Sequence, residues 1–168
     1  MQSNVKFRGY AAALAVLFFI ALGSPLYAAT ATTTMTVQMT ITATCLVNSA
    51  STLNFGTQGV LSANVDQTST VQVTCTNTTP YNIGLDAGTG TGATVAARKL
   101  TSGANTVNYT LYSNSTRTTL WGNTVGTDTV AATGNGAAQS YTVYGRVPSQ
   151  AAPAPGTYTD TITVTVTY

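Results

Sequence analysis

The residues YTDTITVTVTY at 158–168 show the strictest pattern in the sequence. Large side chains alternate there with threonines at every second position. Successive side chains of a β-strand point to opposite faces, so this alternation predicts a strand with one buried face. Because it is the longest such alternation, we expect the strand to be central in its sheet. The residues on its predicted inner face are Tyr158, Asp160, Ile162, Val164, Val166 and Tyr168.

Shorter alternations recur along the chain and predict an all-β fold. Threonine, which favours strands, fills about a quarter of the positions after residue 28. Turn residues separate the alternations, a layout typical of a sandwich of two antiparallel sheets. The predicted strands are STLNFG (51–56), STVQVTCT (69–76), YNIGLDA (81–87), VNYTLYS (107–113) and QSYTVYGRV (139–147), with RKLTS (98–102) as a strand or a corner.

An immunoglobulin-like sandwich normally continues past such a final strand with one more, which returns along its edge. The sequence stops at the last apolar residue of 158–168, so we expect an incomplete sandwich that lacks this strand. That would leave an apolar groove and a row of unpaired backbone groups. Ile162, Val164 and Val166 are the predicted lining of this acceptor groove.

A further alternation lies near the start, in TTTMTVQMTITATC at 32–45. No turn follows it to fold it back as a hairpin. One interpretation is that it completes the sheet of another copy by β-strand addition, a head-to-tail contact that propagates into a fibre. The alternative is that residues 32–43 form the first strand of their own sandwich. The anchors of such a donor strand would be Met35, Val37, Met39 and Ile41.

Residues 1–28 have the layout of a secretory signal peptide. Lys6 and Arg8 precede an apolar run of about 14 residues, short for a membrane span of ~20, and small residues follow. Cleavage is expected after Ala28 or after Ala31. A retained N-terminal anchor is the alternative.

The chain after residue 28 has no net charge. The sequence holds 6 Lys and Arg and 4 Asp and Glu, and Lys6 and Arg8 belong to the leader, which leaves four of each sign. A neutral surface without a basic patch argues against nucleic acid and anionic membranes as partners. Insertion of the mature chain into a bilayer is not expected either. The charged residues are Arg98, Lys99, Arg117 and Arg146, with Asp66, Asp86, Asp128 and Asp160.

Cys45 and Cys75 are the only cysteines, and in an exported chain they predict a single structural disulfide. The bridge would close a loop of about 30 residues, a stabilisation of roughly 3–4 kcal/mol. Their spacing is unlike that of a redox pair.

Catalysis is not expected. The chain has no His, and after residue 28 its only carboxylates are four aspartates. Asp86 and Asp160 are a conceivable glycosidase pair, but both lie in turn-like or strand-start contexts. No metal site or cofactor is indicated, and GTGTG at 88–92 is predicted to be a loop. Several tyrosines could stack on a sugar or a surface, although packing is the favoured role: Tyr109, Tyr112, Tyr141, Tyr144 and Tyr158.

Motifs along the whole chain resemble the spore coat protein U domain family, which includes the pilins of the archaic chaperone–usher pathway. Their order carries the resemblance more than any single one. They are LNFG (53–56), VTC (73–75), PYNIGLDAG (80–88), YTLYS (109–113), LWGN (120–123), YTVYGRVPSQ (141–150) and GTYTDTITVTVTY (156–168).

The resemblance implies an immunoglobulin-like subunit without its seventh strand, completed by donor-strand complementation. A periplasmic chaperone would lend a strand, and an outer-membrane usher would exchange it for the N-terminal strand of an identical or related subunit. The product would be a cell-surface fimbria for attachment and biofilm formation. By position, the donor strand maps to about residues 33–43 and the family's disulfide to Cys45 and Cys75. Gly156, Tyr158 and Asp160 match the turn into the last strand, with Gly156 giving backbone freedom and Asp160 accepting local hydrogen bonds.

The predicted organisation is therefore a signal peptide at 1–28, a donor strand at 29–43 and one pilin domain at 44–168. A single domain indicates a shaft or minor subunit rather than a tip adhesin. Two alternatives stay open. One is a self-complemented, secreted binding domain that never polymerises, and the other is a coat protein of a spore or envelope.

Overall fold

The computed structural model describes residues 27–168. They belong to two compact units, one that ends at Met39 and one that runs from Thr40 to Tyr168. Residues 27–39 of the first unit contain no helix or strand, and neither do residues 40–44 of the second. The predicted signal peptide lies almost entirely outside the described residues, and both its cleavage site and the proposed division at residue 43 stay predictions.

The second unit is built from strands only. It contains no helix, and nothing in residues 27–168 is a helix long and apolar enough to cross a membrane. In chain order the strands are β1 (Cys45–Ala50), β2 (Val65–Cys75), β3 (Pro80–Leu85), β4 (Arg98–Ser102), β5 (Asn105–Tyr112), β6 (Val130–Thr133), β7 (Ala138–Val147) and β8 (Val164–Thr167).

Two antiparallel sheets make up this unit, as the sequence predicted. The larger has the order β1-β2-β7-β5-β4 and the smaller has the order β6-β3-β8. Every strand pair is antiparallel. Consecutive strands often lie in different sheets, as β2 and β3 do. RKLTS is β4, a strand, and β1 and β6 are strands that the sequence did not predict.

Alternating residues of both sheets fill the core, on the faces that the sequence predicted. Trp121 is 1% exposed and donates its indole N–H to Ile83 O at 2.8 Å, which ties a loop to β3. Tyr81 and Tyr141 share a hydrogen bond between their hydroxyls across the two sheets. The other buried strand residues include Val71, Val73, Ile83, Leu85, Val107, Tyr109, Leu111, Val143 and Val147.

The predicted disulfide is present. Cys45 and Cys75 are bonded, and they lie directly opposite each other in the β1–β2 pair. Cys75 is fully buried. The bridge therefore holds the first residue of β1 against the last residue of β2.

The prediction of a strand at 51–56 is wrong. Ser51 N donates to Thr70 O at 2.8 Å, but the ladder stops there. Asn54 Oδ1 accepts a hydrogen bond from Gly56 N, and Gly56 has a φ of 73°, so a side-chain-closed turn replaces the strand. Leu53 and Phe55 nevertheless pack against the core, as their alternation predicted.

The prediction of a long, central final strand is also wrong. Only residues 164–167 of the segment form a strand, and β8 is an edge strand whose pairing within the described residues is with β3 alone. Thr159 forms a bridge with Thr101 of β4, so the chain leaves one sheet and joins the other before β8 begins. A strand cannot belong to both sheets at once, which shortens the regular part.

Candidate functional site

Two sheet edges face each other on one side of the second unit. β1 ends the five-stranded sheet and β8 ends the three-stranded sheet, and their nearest Cα atoms are within 8 Å. No hydrogen-bonded pairing joins β1 to β8 in the described residues. The side of β8 that faces away from β3, which we call the open edge, presents backbone groups that can accept another strand.

A groove of about 300 Å³ lies next to this edge. Its walls come from the end of β1, the following loop, both sheets and the approach to β8. Ile162 and Val164, two of the three predicted groove residues, line it. Val166 does not, although it is half-buried against the same core. Other apolar lining residues are Leu53, Phe55, Val71, Leu85, Leu100, Tyr109, Leu111 and Val143.

The loop after β1 supplies one wall of the groove through close packing. A Cβ atom on Gly145 would lie 2.6 Å from Leu53 Cδ1 and 3.0 Å from Phe55 Cζ. Glycine at this inward position of β7 therefore makes room for both side chains. Phe55 also meets Tyr109 edge to face, with 6.2 Å between ring centroids. The two side chains predicted to point inward thus form a wall without being in a strand.

Asp160 fixes the segment 158–168, which we call the closing segment. Its Oδ1 accepts hydrogen bonds from Thr161 N, Thr89 N and the Thr89 hydroxyl at 2.8–2.9 Å. Its Oδ2 accepts one from the Tyr109 hydroxyl at 2.7 Å. Burial, and then this hydrogen bond, raise the pKa of Tyr109. The sequence predicted local hydrogen bonding, and the structure adds partners from β5 and a distant loop.

Asp86, which follows β3, also binds the closing segment. Its Oδ1 accepts from Thr163 N at 3.0 Å, and its own N–H donates to Thr163 O at 3.2 Å. Burial tends to raise the pKa of Asp86, but hydrogen bonds from Thr163 and Gly88 outweigh it, and the pKa is lowered. With both carboxylates bound to backbone and hydroxyl donors, Asp86 and Asp160 have structural roles.

Gly156 differs from its predicted role. Its φ is not among the positive values of the described glycines, so no left-handed conformation requires glycine there. Instead a Cβ atom would lie 3.0 Å from Ser102 Oγ. Tyr158, two residues on, donates its hydroxyl to Ala154 O at 2.6 Å and closes the turn. Any side chain at position 156 would have to displace the Ser102 hydroxyl slightly.

Arg98 is the central residue that sequence reasoning missed. The sequence predicts a neutral surface that includes the Arg98 charge, yet the Arg98 side chain is fully buried. Its guanidinium donates to four backbone carbonyls at 2.7–2.9 Å: those of Leu85, Asp86, Val95 and Trp121. Burial lowers its pKa. One signal could have found it, because Arg98 is in phase with the inward-facing Leu100.

The apolar residues of the N-terminal alternation are exposed. Met35 is 83% exposed, Val37 84%, Met39 81% and Ile41 74%. Residues 27–44 form no strand, and β1 is the first strand of the two sheets. Four exposed apolar side chains in strict alternation are typical of a segment that binds a partner.

The tyrosines divide by face. Tyr109, Tyr141 and Tyr158 have internal hydrogen bonds. Tyr112 and Tyr144 are opposite each other on neighbouring strands, and the Arg117 guanidinium lies 5.7 Å from the Tyr144 ring centre.

Within residues 27–168, no three His, Cys, Asp or Glu side chains are grouped so that they could hold a metal ion.

These features define a β-sandwich domain with an apolar groove beside the open edge of β8. The family model for the Spore Coat Protein U domain matches residues 31–165 of the chain. A curated relative, Protein U of Myxococcus xanthus, is 34% identical over 160 residues, which cover 86% of this chain and 89% of that protein. The chain therefore belongs to the Spore Coat Protein U domain family. Membership of a coat-protein family supports the prediction of a structural protein rather than an enzyme.

A solved structure shares the fold. It is the complex of the CsuC chaperone with the CsuE tip adhesion subunit, a pre-assembly complex of the archaic chaperone–usher Csu pili of Acinetobacter baumannii. The TM-score is 0.57 and the sequence identity is 22%, over 77% of this chain and 41% of that one. The chain thus spans less than half the length of this neighbour, and the likeness concerns the fold.

Proposed function

We propose that the chain is a subunit of a surface fimbria that assembles by donor-strand exchange. In this proposal residues 29–43, the donor segment, leave their own subunit and bind along the open edge of β8 in another copy. The observation that carries the proposal is that Met35, Val37, Met39 and Ile41 are at least 74% exposed, while β8 has an unpaired edge beside an apolar groove.

The energetic scale of this contact favours it. Burying an apolar side chain completely contributes ~1.5–3 kcal/mol, so four anchors give roughly 6–12 kcal/mol as an upper estimate. Backbone hydrogen bonds to the open edge add to this. The donor surface of one copy differs from the groove surface of the next, so the contact is head-to-tail and forms an open fibre.

The exposed apolar segment and the open edge also suggest which proteins the subunit would bind during export. An exposed apolar segment and an open edge are aggregation hazards during export, so a periplasmic chaperone is expected to cover the groove until assembly. The fold neighbour was solved with a chaperone, which supports this partner. An outer-membrane usher would then exchange the chaperone's strand for the donor segment of the next subunit. The fibre would be exported through the periplasm to the cell surface, where it supports attachment and biofilm formation.

A coat protein is the second candidate, and the likeness to Protein U favours it. The same head-to-tail contact would then build a layer deposited on a spore or envelope instead of a fibre anchored in the outer membrane. The two candidates differ in where the polymer is found, and immunogold labelling of intact cells separates them.

The test uses the oxidised mature protein, loaded on a denaturing gel with and without boiling. A version that begins at Thr44 is the matched control. We expect a ladder of multimers in the unboiled mature protein, no ladder after boiling and none from the truncated protein. The truncated protein should keep a cooperative thermal transition, because it retains all eight strands.

Two results would contradict the proposal. A mature protein, purified with its chaperone and released from it, that stays monomeric would contradict polymerisation. A truncated protein that unfolds, and that an added peptide of residues 29–43 does not rescue, would instead indicate a self-complemented domain.

A further inference from the structure

We propose a register for the donor segment on β8, and with it a threonine-lined outer face of the subunit contact. This inference rests on the proposed function. The donor segment runs antiparallel to the closing segment of the neighbouring copy. The two residue numbers of every facing pair therefore add up to the same total. The inward pairs are Ile41 with Ile162, Met39 with Val164, Val37 with Val166, and Met35 with Tyr168.

The direction follows from the sheets themselves. Every strand pair in both sheets is antiparallel, including the β3–β8 pair that the donor segment would extend. Antiparallel pairing is also slightly more stable per residue than parallel pairing. A donor strand in this direction continues the existing pattern of the smaller sheet.

The two ends of the groove fix the register. Moving the donor segment two residues towards Asp160 would set Ile41 against a carboxylate that already accepts four hydrogen bonds. Moving it two residues the other way would leave only Ala43 for the groove of about 300 Å³ beside Ile162. A shift by one residue would turn threonines inward. The stated register is the one that fills the groove without burying a polar contact.

The same register sets the outer face of the contact. Thr163, Thr165 and Thr167 alternate with the inward residues and are exposed. Residues directly opposite in an antiparallel pair share a face, with Cβ atoms roughly 5 Å apart. The outer pairs are therefore Thr40 with Thr163, Gln38 with Thr165, and Thr36 with Thr167.

This outer row fits the surface that β8 presents. On its other side Thr165 faces Gly84 of β3, which offers no side chain. Asn123 packs over Gly84, with its Cα 3.0 Å from where a Cβ on Gly84 would lie, so it is on the open side that a donor side chain would be the cross-strand neighbour of Thr165. The row carries no charge on either strand, so its contribution should not depend on salt. Threonine pairs of this kind each make a small contribution to the stability of the contact.

Disulfide trapping in the full mature chain tests the register. Cysteines are placed at a proposed outer pair, in the variant Gln38→Cys/Thr165→Cys. Matched controls keep Gln38→Cys and move the second cysteine to Thr163 or to Thr167. Facing residues suit a disulfide, which needs Cα atoms about 4.4–6.8 Å apart, whereas diagonal neighbours lie roughly 7–8 Å apart. The native Cys45 and Cys75 are bonded to each other and do not compete.

We expect the proposed pair to give a covalent ladder on a boiled, non-reducing gel after mild oxidation, and the displaced pairs to give none. A ladder from a displaced pair alone would overturn the register and leave the proposed function intact. A fast-migrating oxidised monomer without a ladder would mean that the strand pairs within its own chain, and would overturn both. The absence of multimers from unboiled wild-type protein that has been released from its chaperone would also overturn both.

A second measurement tests the threonine row directly. Thr165→Ala should make the wild-type multimers dissociate about two- to fivefold faster in mild denaturant. Thr142→Ala is the matched control, because Thr142 is an exposed threonine on the outer face of β7, an interior strand. Equal dissociation rates for the two variants would overturn the contribution of the outer row.

Discussion

Residues 32–43 and the closing segment carry the same period-two alternation in opposite surroundings. Ile41 is 74% exposed, whereas Ile162 is half-buried and packs against the core. The patterns alone do not separate them, because both alternate apolar residues with threonine. An alternation therefore encodes the ability to form a half-buried strand, and the available partner decides whether the strand forms within the subunit.

Polar anchoring is the difference between the two segments. Asp86 and Asp160 bind backbone N–H groups of the closing segment, and both are outside the alternation of β8 itself. No charged residue occurs in residues 29–43. The closing segment is thus held by hydrogen bonds within its own subunit, whereas in the proposed contact the donor segment would be directed by its apolar side chains and its backbone.

The largest expected effect comes from a charge on the donor segment. Met39→Asp should abolish multimers, since burying an unpaired carboxylate costs several kcal/mol. The chaperone-bound subunit should still form with an unchanged melting temperature, because Met39 is 81% exposed. Met39→Leu, which conserves volume, is the control and should still polymerise. Gel analysis of unboiled samples measures the effect, and normal fibres from Met39→Asp would remove Met39 from the anchors.

Two isoleucine substitutions sharpen the comparison. Ile162→Ala should lower the free energy of unfolding of the unassembled subunit by about 1–3 kcal/mol, less than a fully buried site because Ile162 is half-buried. Ile41→Ala should leave that free energy unchanged and weaken only the multimers. Urea unfolding of both variants, followed by circular dichroism, measures the difference. Equal destabilisation would mean that residue 41 packs within its own subunit.

Asp160→Asn tests the anchoring of the closing segment. An amide cannot accept hydrogen bonds at both of its ends, so either Tyr109 or the Thr89 and Thr161 donors lose their acceptor. We expect a loss of about 1–2 kcal/mol in the free energy of unfolding. Tyr109→Phe removes one of these bonds and should cost less. An unchanged stability in Asp160→Asn would contradict the anchoring role.

Acid should produce the smallest effect in this set. The pKa of Asp86 and that of Asp66, which Arg146 binds, lie below the usual 3.8 in the folded chain. The unfolded chain therefore binds more protons in acid, so stability is full above about pH 5 and falls as the pH drops below 4. Urea unfolding at a series of pH values measures this fall. Asp86→Asn should flatten it, and an unaltered slope would contradict the contribution of Asp86.

Local patterns predicted much of the fold because they are properties of neighbouring residues. Strands β2, β3, β5 and β7, their inward faces and the Cys45–Cys75 bridge follow from alternation and from redox setting. Residues 51–56 alternate apolar and polar side chains as a strand does, which explains the wrong prediction. The turn at Gly56 depends on one side-chain hydrogen bond, which the alternation does not indicate. Leu53 and Phe55 kept their inward direction without the strand.

Tertiary contacts explain what the sequence could not indicate. Arg98 is buried because carbonyls from three separate parts of the chain converge on it. Likewise the short β8 results from the crossing between sheets near Thr159. The groove residues Ile162 and Val164 were predicted from phase alone, but the wall formed by Phe55 beside Gly145 was not.

The bridge between Cys45 and Cys75 has a mechanical consequence. In a head-to-tail fibre, tension enters each subunit through the residues just before Cys45. Without the bridge, that pull would act first on the hydrogen bonds of β1, an edge strand. The covalent bond instead passes the pull directly to β2, which pairs with β7 in the middle of the larger sheet. Stretching of the proposed fibre should therefore load β2 and β7 in shear and leave β1 in place.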